Sequence, residues 1–336
     1  MTGTRTILLL AFPEVALLDL VGPADTFTVA SRHVIAADPP AYRVVVASVA
    51  GGAVRTVSGM LIDTAPLSGI DMDRVDTILV PGGGPPLSPP VPPDLVAWLA
   101  AHGPQARRLC AVCTGAFLLA DAGLAEGRRL ATHWEAAGEL QRRHPGVSVE
   151  AEPIFVRDGP IWSSAGFTAG IDLALALVEE DHGHDVAIHL ARLMVMFMKR
   201  PGEQPQYSSA LASQSVADPQ FEKLHAWIAN SLDGDLRVEA LAARVNMAPR
   251  TFARRYARSV GRTPAKTVEL LRMEAACRAL LDAEMPLKQV ARSCGFGDEQ
   301  NLRRGFLRRF GMAPQQYRSR FGAATCSRPR QDLSAE

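Results

Sequence analysis

The chain has 336 residues, of which 47% are hydrophobic and 21% charged, and its formal net charge is +1. This composition predicts an ordinary soluble protein whose length favours two domains. No apolar run is long enough to cross a membrane, and Pro13, Glu14 and Asp19 interrupt the first one, so we expect neither a membrane span nor a signal peptide. Five cysteines without framework spacing argue against a disulfide scaffold and for the reducing cytoplasm.

Charge is unevenly distributed along the chain. Residues 1–219 contain 15 Lys+Arg and 23 Asp+Glu, a difference of −8, whereas residues 220–321 contain 19 and 10, a difference of +9. A basic region of this size fits a polyanionic partner, because neutralised phosphates release counterions. The alternative is a basic surface that is only solvated.

Short β-branched runs alternate with helical stretches in the first half, which is typical of a parallel sheet covered by helices. Strands are predicted at residues 6–10, 43–47, 77–80, 109–112 and 161–163. Helices are predicted at residues 18–29, 94–101, 115–122, 134–142, 169–180 and 186–198. This order predicts an α/β domain over residues 1–198 with a doubly wound, flavodoxin-like parallel sheet. Its ligand crevice is expected at the carboxyl ends of the strands.

Residues 199–219 are rich in Pro, Ser, Gln and Gly and are predicted to form a linker. Strand signals then stop, and residues 220–321 are predicted to form an all-α domain. Its helices are expected at residues 221–231, 238–245, 249–260, 264–281, 286–293, 298–310 and 314–321. Residues 322–336 are expected to be a disordered tail.

Two segments of this basic region, residues 238–256 and 286–306, have the pattern of a helix, a tight turn and a second helix. Gly295 permits the second turn, and Asp298 is placed to cap the helix that follows. The residues expected to pack inward are Leu241, Val245 and Phe252 in the first unit and Val290, Ala291, Leu302 and Phe306 in the second. The sequence therefore predicts two helix-turn-helix units.

The second helix of each unit presents polar side chains that match base edges and phosphates of double-stranded DNA. These side chains are Arg250, Thr251 and Arg254 in the first unit and Gln300, Asn301, Arg303 and Arg304 in the second. The helix between the units would span roughly 27 Å, which could hold two recognition helices about one DNA turn apart. The alternative is a helical bundle whose arginines are only solvated.

The run GFGDEQNLRRGFLRRFGMAPQQYRSRF, residues 295–321, resembles the signature of the AraC/XylS family of bacterial transcription regulators. The similarity extends back to about Phe221. It implies that bases are read by Arg250, Arg254, Gln300, Asn301 and Arg304. Ala253 stands where family members often carry a polar reader.

The segment of the first half that most suggests a reactive site is RRLCAVCTGAFLLADAGL, residues 107–124. Here an apolar strand leads to Cys113, and a helix starts directly after it. Such a sharp elbow places a thiol beside helix N-terminal amides, which favour the thiolate. The alternative is an inert buried thiol. Cys110 lies within the strand and is interpreted as a core residue.

Other segments are expected to converge on the same crevice because they also follow strands. Asp19 and Glu14 follow the first strand, and residues 81–84 offer three glycines, including Gly83, whose amides could face a carbonyl or carboxylate. His133 follows a short strand, and residues 163–170 form a further strand-to-helix turn. No phosphate-binding glycine pattern is present.

The segments LDLVGP, PGGG, AVCTGAFLLADAGL, THW and SSAGFTAGID resemble the ThiJ/PfpI superfamily, which has a class I glutamine-amidotransferase-like fold, over about residues 6–200. Joined to an AraC-type domain, this is similar to regulators of the GlxA type. The resemblance implies that, in an enzyme, Cys113 would be the nucleophile and Asp19 the nearby acid. Hydrolytic members carry His directly after the nucleophile, where this chain has Thr114. Isonitrile-hydratase-like members carry the same Cys-Thr pair and the Asp.

The sequence therefore predicts a homodimeric transcription regulator rather than an enzyme. Its crevice would bind a small-molecule effector, such as an amino-acid or amine catabolite, beside Asp19, Gly83, Cys113, Thr114 and His133. We expect no cofactor and no metal, since the His and Cys residues are not at ligand spacing. Two alternatives stay open: a Cys-dependent hydratase or hydrolase, and a sensor that works by oxidation of Cys113.

Overall fold

The computed structural model describes residues 3–35, 39–196, 200, 202, 204, 206, 219–281 and 285–321. The chain separates into two units, Met1–Gln206 and Tyr207–Glu336. Most of the predicted linker and the whole predicted tail, residues 322–336, lie outside the described residues. Within the described ranges, no helix is both long and apolar enough to span a bilayer.

The first unit is built on a sheet of eight strands in the order β3-β4-β2-β1-β5-β6-β10-β9. Its strands are β1 (Arg5–Leu10), β2 (Tyr42–Ser48), β3 (Gly52–Arg55), β4 (Leu61–Pro66), β5 (Val75–Val80), β6 (Arg108–Val112), β9 (Phe155–Asp158) and β10 (Ile161–Ser164). All neighbours pair in parallel except β3 with β4 and β9 with β10, at the two edges. A separate parallel pair joins β7 (Arg129–Ala131) and β8 (Ser148–Glu150).

Among the described residues, six α-helices accompany this sheet. They are α1 (Leu17–Val29), α2 (Pro93–His102), α3 (Gly115–Asp121), α4 (Trp134–Arg143), α5 (Thr168–His182) and α6 (His184–Leu193). The central strand β1 is apolar and buried from Ile7 to Leu10, because helices cover both faces of a parallel sheet. The carboxyl ends of β1, β5, β6 and β10 therefore meet at one edge, where α1, α3 and α5 begin.

The five predicted parallel strands and the six predicted helices are confirmed, with shifts of one to three residues at most ends. One helix is shorter than predicted: α6 ends at Leu193 rather than at residue 198, and Val195 has a left-handed φ of 56°. The prediction missed the short strands β3, β4, β8 and β9. These strands gain their hydrogen bonds from neighbours at sheet edges, which their own composition does not specify.

The second unit is helical throughout its described residues. Its helices are α7 (Pro219–Ala229), α8 (Val238–Arg244), α9 (Pro249–Val260), α10 (Pro264–Leu280), α11 (Leu287–Ser293), α12 (Glu299–Phe310) and α13 (Pro314–Phe321). They enclose two separate apolar clusters, one around Phe252 and Tyr256 and one around Phe306 and Tyr317. The helix α10 contributes to both clusters, through Val268 and Leu271 to the first and through Met273 to the second.

Candidate functional site

Cys113 occupies a sharp elbow between β6 and α3. Its φ is 57°, a left-handed value that is uncommon for a residue other than glycine. The Cys113 amide donates to the carbonyl of Ser164 at 2.9 Å, and its own carbonyl accepts the hydroxyl of Thr132 at 2.8 Å. The predicted elbow is therefore present, and hydrogen bonds from two other strand ends hold its strained backbone.

Glycines let three loops close around this elbow. A Cβ on Gly82 would lie 2.7 Å from the Thr114 hydroxyl and 2.8 Å from the Cys113 Cβ. A Cβ on Gly166, whose φ is 99°, would lie 2.8 Å from the Cys113 sulfur, and one on Gly115 would collide with the carbonyl of Val80. These positions need glycine for close approach, so Cys113 is only 7% exposed.

The amides of the glycine run bond to the protein itself. Gly82 N–H donates to Asp19 Oδ2 at 3.3 Å, Gly83 N–H to the Thr114 hydroxyl at 2.9 Å, and Gly84 N–H to the Glu14 carbonyl at 3.1 Å. The carboxylate and the carbonyl that two of these amides face thus belong to the protein itself. Gly83 and Thr114 do lie together at the crevice, as predicted, because the Thr114 hydroxyl also donates to the Gly83 carbonyl at 3.1 Å.

Asp19 is fully buried in the first turn of α1, beside the elbow. Its Oδ1 accepts the Phe167 amide at 2.6 Å, and its carboxylate also accepts a hydrogen bond from the Cys113 thiol. Burial raises the pKa of Asp19 to about 6, although these hydrogen bonds and that of Gly82 partly offset the shift. The acid and the thiol that the resemblance paired thus lie beside each other at the elbow.

The pKa of the Cys113 thiol is raised far above its ordinary value, first by burial and then by the negative charge of Asp19. The expectation that the elbow favours a thiolate is therefore wrong. The amide of Thr114 lowers the pKa, as expected of a helix start, but its effect is smaller than that of desolvation. Cys110 is fully buried in β6, which confirms its interpretation as a core residue.

His133 lies at the rim of the crevice, as the N-cap of α4. Its Nδ1 accepts the Glu135 amide at 3.4 Å, and burial lowers its pKa against the opposing effect of Glu135. Two exposed rings lie in the same predicted segments, Trp134 at 48% and Phe167 at 53% exposure. Both follow residues that the motifs identify, and the Phe167 ring centre lies 6.3 Å from that of His133.

The two helix-turn-helix units have the predicted cores. Leu241, Phe252, Val290, Leu302 and Phe306 are completely buried. Gly295 has a φ of 76° in the second turn, and the Asp298 side chain accepts the Asn301 amide at 2.7 Å, which caps α12. These predictions are confirmed.

The seven residues predicted to contact DNA are all exposed on α9 and α12: Arg250, Thr251, Arg254, Gln300, Asn301, Arg303 and Arg304. Asn301 also bonds within its own turn, because its Nδ2 donates to the Phe296 carbonyl at 3.2 Å and to Asp298 at 3.1 Å. Its Oδ1 accepts a hydrogen bond from Arg304 at 2.8 Å. Asn301 is thus placed to orient Arg304.

Comparison with known proteins follows the same division into two units. Residues 5–180 match the model of the DJ-1/PfpI family. The chain belongs to this family. Residues 241–320 match a helix-turn-helix domain. A DJ-1/PfpI domain followed by this domain confirms the resemblance to AraC-type regulators of the GlxA type.

Some relatives of this chain match it over most of its length, and others over little more than half. The HTH-type transcriptional regulator CdhR of Pseudomonas aeruginosa is 30% identical, over 92% of this chain and 90% of that protein. The regulator GlxA of Rhizobium meliloti is 26% identical, over 84% and 87%. The isonitrile hydratase of Pseudomonas putida is 36% identical, over 57% and 78%. A ThiJ/PfpI protein from Pseudomonas syringae shares the fold, with 24% identity and a TM-score of 0.51 over 68% of this chain and 87% of that one.

The acid–thiol contact predicts how the Cys113 thiol reacts. Above pH 6, where Asp19 is ionised, Asp19→Asn removes a negative charge beside the sulfur and lowers the pKa of the thiol. We expect alkylation of Cys113 by iodoacetamide at pH 8 to become about tenfold faster, the effect of about one pKa unit. Peptide mass spectrometry measures this rate.

Asp25→Asn, on the exposed side of the same helix, is the matched control and leaves the rate unchanged. An equal rate in the wild type and Asp19→Asn would show that the carboxylate does not control the thiol.

Proposed function

We propose that the chain is a sequence-specific DNA-binding transcription regulator whose DJ-1/PfpI unit binds a small-molecule effector. The carrying observation is the pair of recognition helices, α9 and α12, each of which exposes arginines within residues 220–321, whose net charge is +9. Exposed arginine at the start of a helix in a helix-turn-helix unit suits guanine edges and phosphates. Such a regulator acts in the cytoplasm, as a homodimer.

The proposed effector site is the crevice beside Asp19, Gly83, Cys113, Thr114 and His133. A crevice at the carboxyl ends of parallel strands is the usual ligand position in this kind of sheet. The left-handed backbone of Glu14, Cys113 and Phe167 supports this choice, because strain of that kind concentrates at ligand sites.

The exposed rings of Trp134 and Phe167 favour an effector with a cationic group, since aromatic faces attract ammonium ions. An amine or amino-acid catabolite has this chemistry. The proposal that α9 and α12 bind DNA holds for any effector of that class.

Arg304 tests base recognition. Arg304→Ala is expected to weaken binding to a duplex selected from random sequences by about 1–3 kcal/mol and to relax the preference at one base pair, if the guanidinium contacts a base in two places. Its effect on scrambled DNA is expected to be smaller. Binding is measured by fluorescence anisotropy at several salt concentrations.

Lys223→Ala removes an exposed cation from α7, outside both helix-turn-helix units, and serves as the control with unchanged preference. Equal losses on selected and scrambled DNA for Arg304→Ala would assign this residue to phosphate contact alone.

An isonitrile hydratase is the second candidate function. It is favoured by the contact between the Cys113 thiol and Asp19, and by the Cys-Thr pair at the elbow. The raised pKa of the thiol disfavours it, since the thiolate is the nucleophile. The same shift disfavours a redox sensor, because oxidation also proceeds through the thiolate.

Cys113→Ala separates the regulator from the enzyme. If the crevice is an effector site, the variant keeps its affinity for the selected duplex and differs only in its response to effectors. Turnover of an isonitrile by the wild type, followed by gas chromatography and abolished in Cys113→Ala, would make the hydratase the primary function.

A further inference from the structure

The described residues just before the second unit are hydrogen-bonded to the first unit. We call Arg200, Gly202, Gln204 and Gln206 the exit segment, because the chain continues from here into Tyr207–Glu336. The Ile154 amide donates to the carbonyls of Gly202 and Gln204, each at 2.9 Å, and the Gln206 amide donates to the Glu152 carbonyl at 2.8 Å. The exit segment thus bonds to the residues that lead into the edge strand β9.

Gln206 binds the wall of the crevice that carries His133. Its Nε2 donates to the Thr132 carbonyl at 2.7 Å, and its Oε1 accepts the Trp134 amide at 2.9 Å. The Thr132 hydroxyl in turn donates to the carbonyl of Cys113. One side chain of the exit segment therefore fixes the residues on both sides of His133, one hydrogen bond away from the elbow.

Arg200 binds the first turns of α5. Its Nε donates to Asp172 Oδ2 at 2.9 Å, and its Nη2 donates to the same carboxylate and to the Thr168 hydroxyl. The Asp172 carboxylate is fully buried, so the pair is screened less than a surface ion pair. Thr168 directly follows Phe167, whose amide donates to Asp19. The exit segment is thus joined to the start of α5 as well as to the crevice wall.

We propose that the exit segment transmits the state of the crevice to the DNA-binding unit, with Gln206 as the positioning residue. This inference rests on the proposed function. An effector that displaces the Thr132–Trp134 or Phe167–Thr168 backbone breaks or shifts hydrogen bonds to the exit segment. The position from which the chain enters the second unit then differs between the free and bound states. An effector that makes different contacts in these two states favours one of them.

The experiment compares three variants of the full chain. Gln206→Ala removes both side-chain bonds to the crevice wall, and Gln206→Glu keeps an acceptor for the Trp134 amide but no donor for the Thr132 carbonyl. Gln141→Ala is the matched control, because Gln141 makes the same two kinds of bond, to the Val147 carbonyl at 2.9 Å and from the Val149 amide at 3.1 Å. Thermal unfolding verifies that each variant is folded, and Gln206→Glu replaces Gln206→Ala if the latter is not.

Two readouts are taken. Iodoacetamide alkylation of Cys113 reports the crevice, and affinity for a duplex selected by the wild type reports the DNA-binding unit. Gln206→Ala is expected to speed alkylation and to shift duplex affinity, each by about fivefold, the lower end of typical coupling between sites. The selected duplex is also expected to change the alkylation rate in the wild type and in Gln141→Ala, but not in Gln206→Ala.

Faster alkylation with unchanged duplex affinity in Gln206→Ala overturns the proposal, because Gln206 would then position the crevice without coupling it to DNA. The proposal is also overturned if adding the duplex does not change the alkylation rate of the wild type. A wild type that selects no duplex contradicts the proposed function instead, and alkylation still reports whether Gln206 holds the crevice wall.

Discussion

The buried carboxylate of Asp19 joins loops that follow different strands of the sheet. It accepts amides from Gly82, after β5, and Phe167, after β10, and it contacts the Cys113 thiol after β6. A buried carboxylate is costly unless its hydrogen bonds are made, so these loops must approach closely. This approach requires glycine at positions 82 and 166 and imposes the left-handed backbone of Cys113. The arrangement of these loops around Cys113 therefore depends on the hydrogen bonds that the buried Asp19 carboxylate accepts.

The same acid decides the chemistry of the crevice. Because it lies beside Cys113, it raises the pKa of a thiol that burial has already raised, and the thiol stays protonated near neutral pH. A protonated thiol is a weak nucleophile for covalent catalysis. The exposed rings of Trp134 and Phe167 supply the apolar rim.

The sequence predicted best where its own pattern decides the structure. Continuous apolar runs fixed β1, β5 and β6, and helix periodicity with Asp298 and Gly295 fixed the second helix-turn-helix unit. It failed where partners distant in sequence decide. The Gly82–Gly84 amides bond to Asp19, Thr114 and Glu14. Burial raises the pKa of the Cys113 thiol despite its place at a helix start. Gln206, which was predicted to lie in the linker, bonds to the Thr132 carbonyl. None of these contacts has a local signal in composition or periodicity.

The central claim is that one basic unit carries two helices that read the same duplex. Its most direct test is methylation interference combined with hydroxyl-radical footprinting of the wild-type protein on a duplex selected from random sequences. The account predicts two clusters of base contacts in successive major grooves, about 10 bp apart on one face of the DNA. A single cluster, or protection that is the same on every sequence, would contradict it.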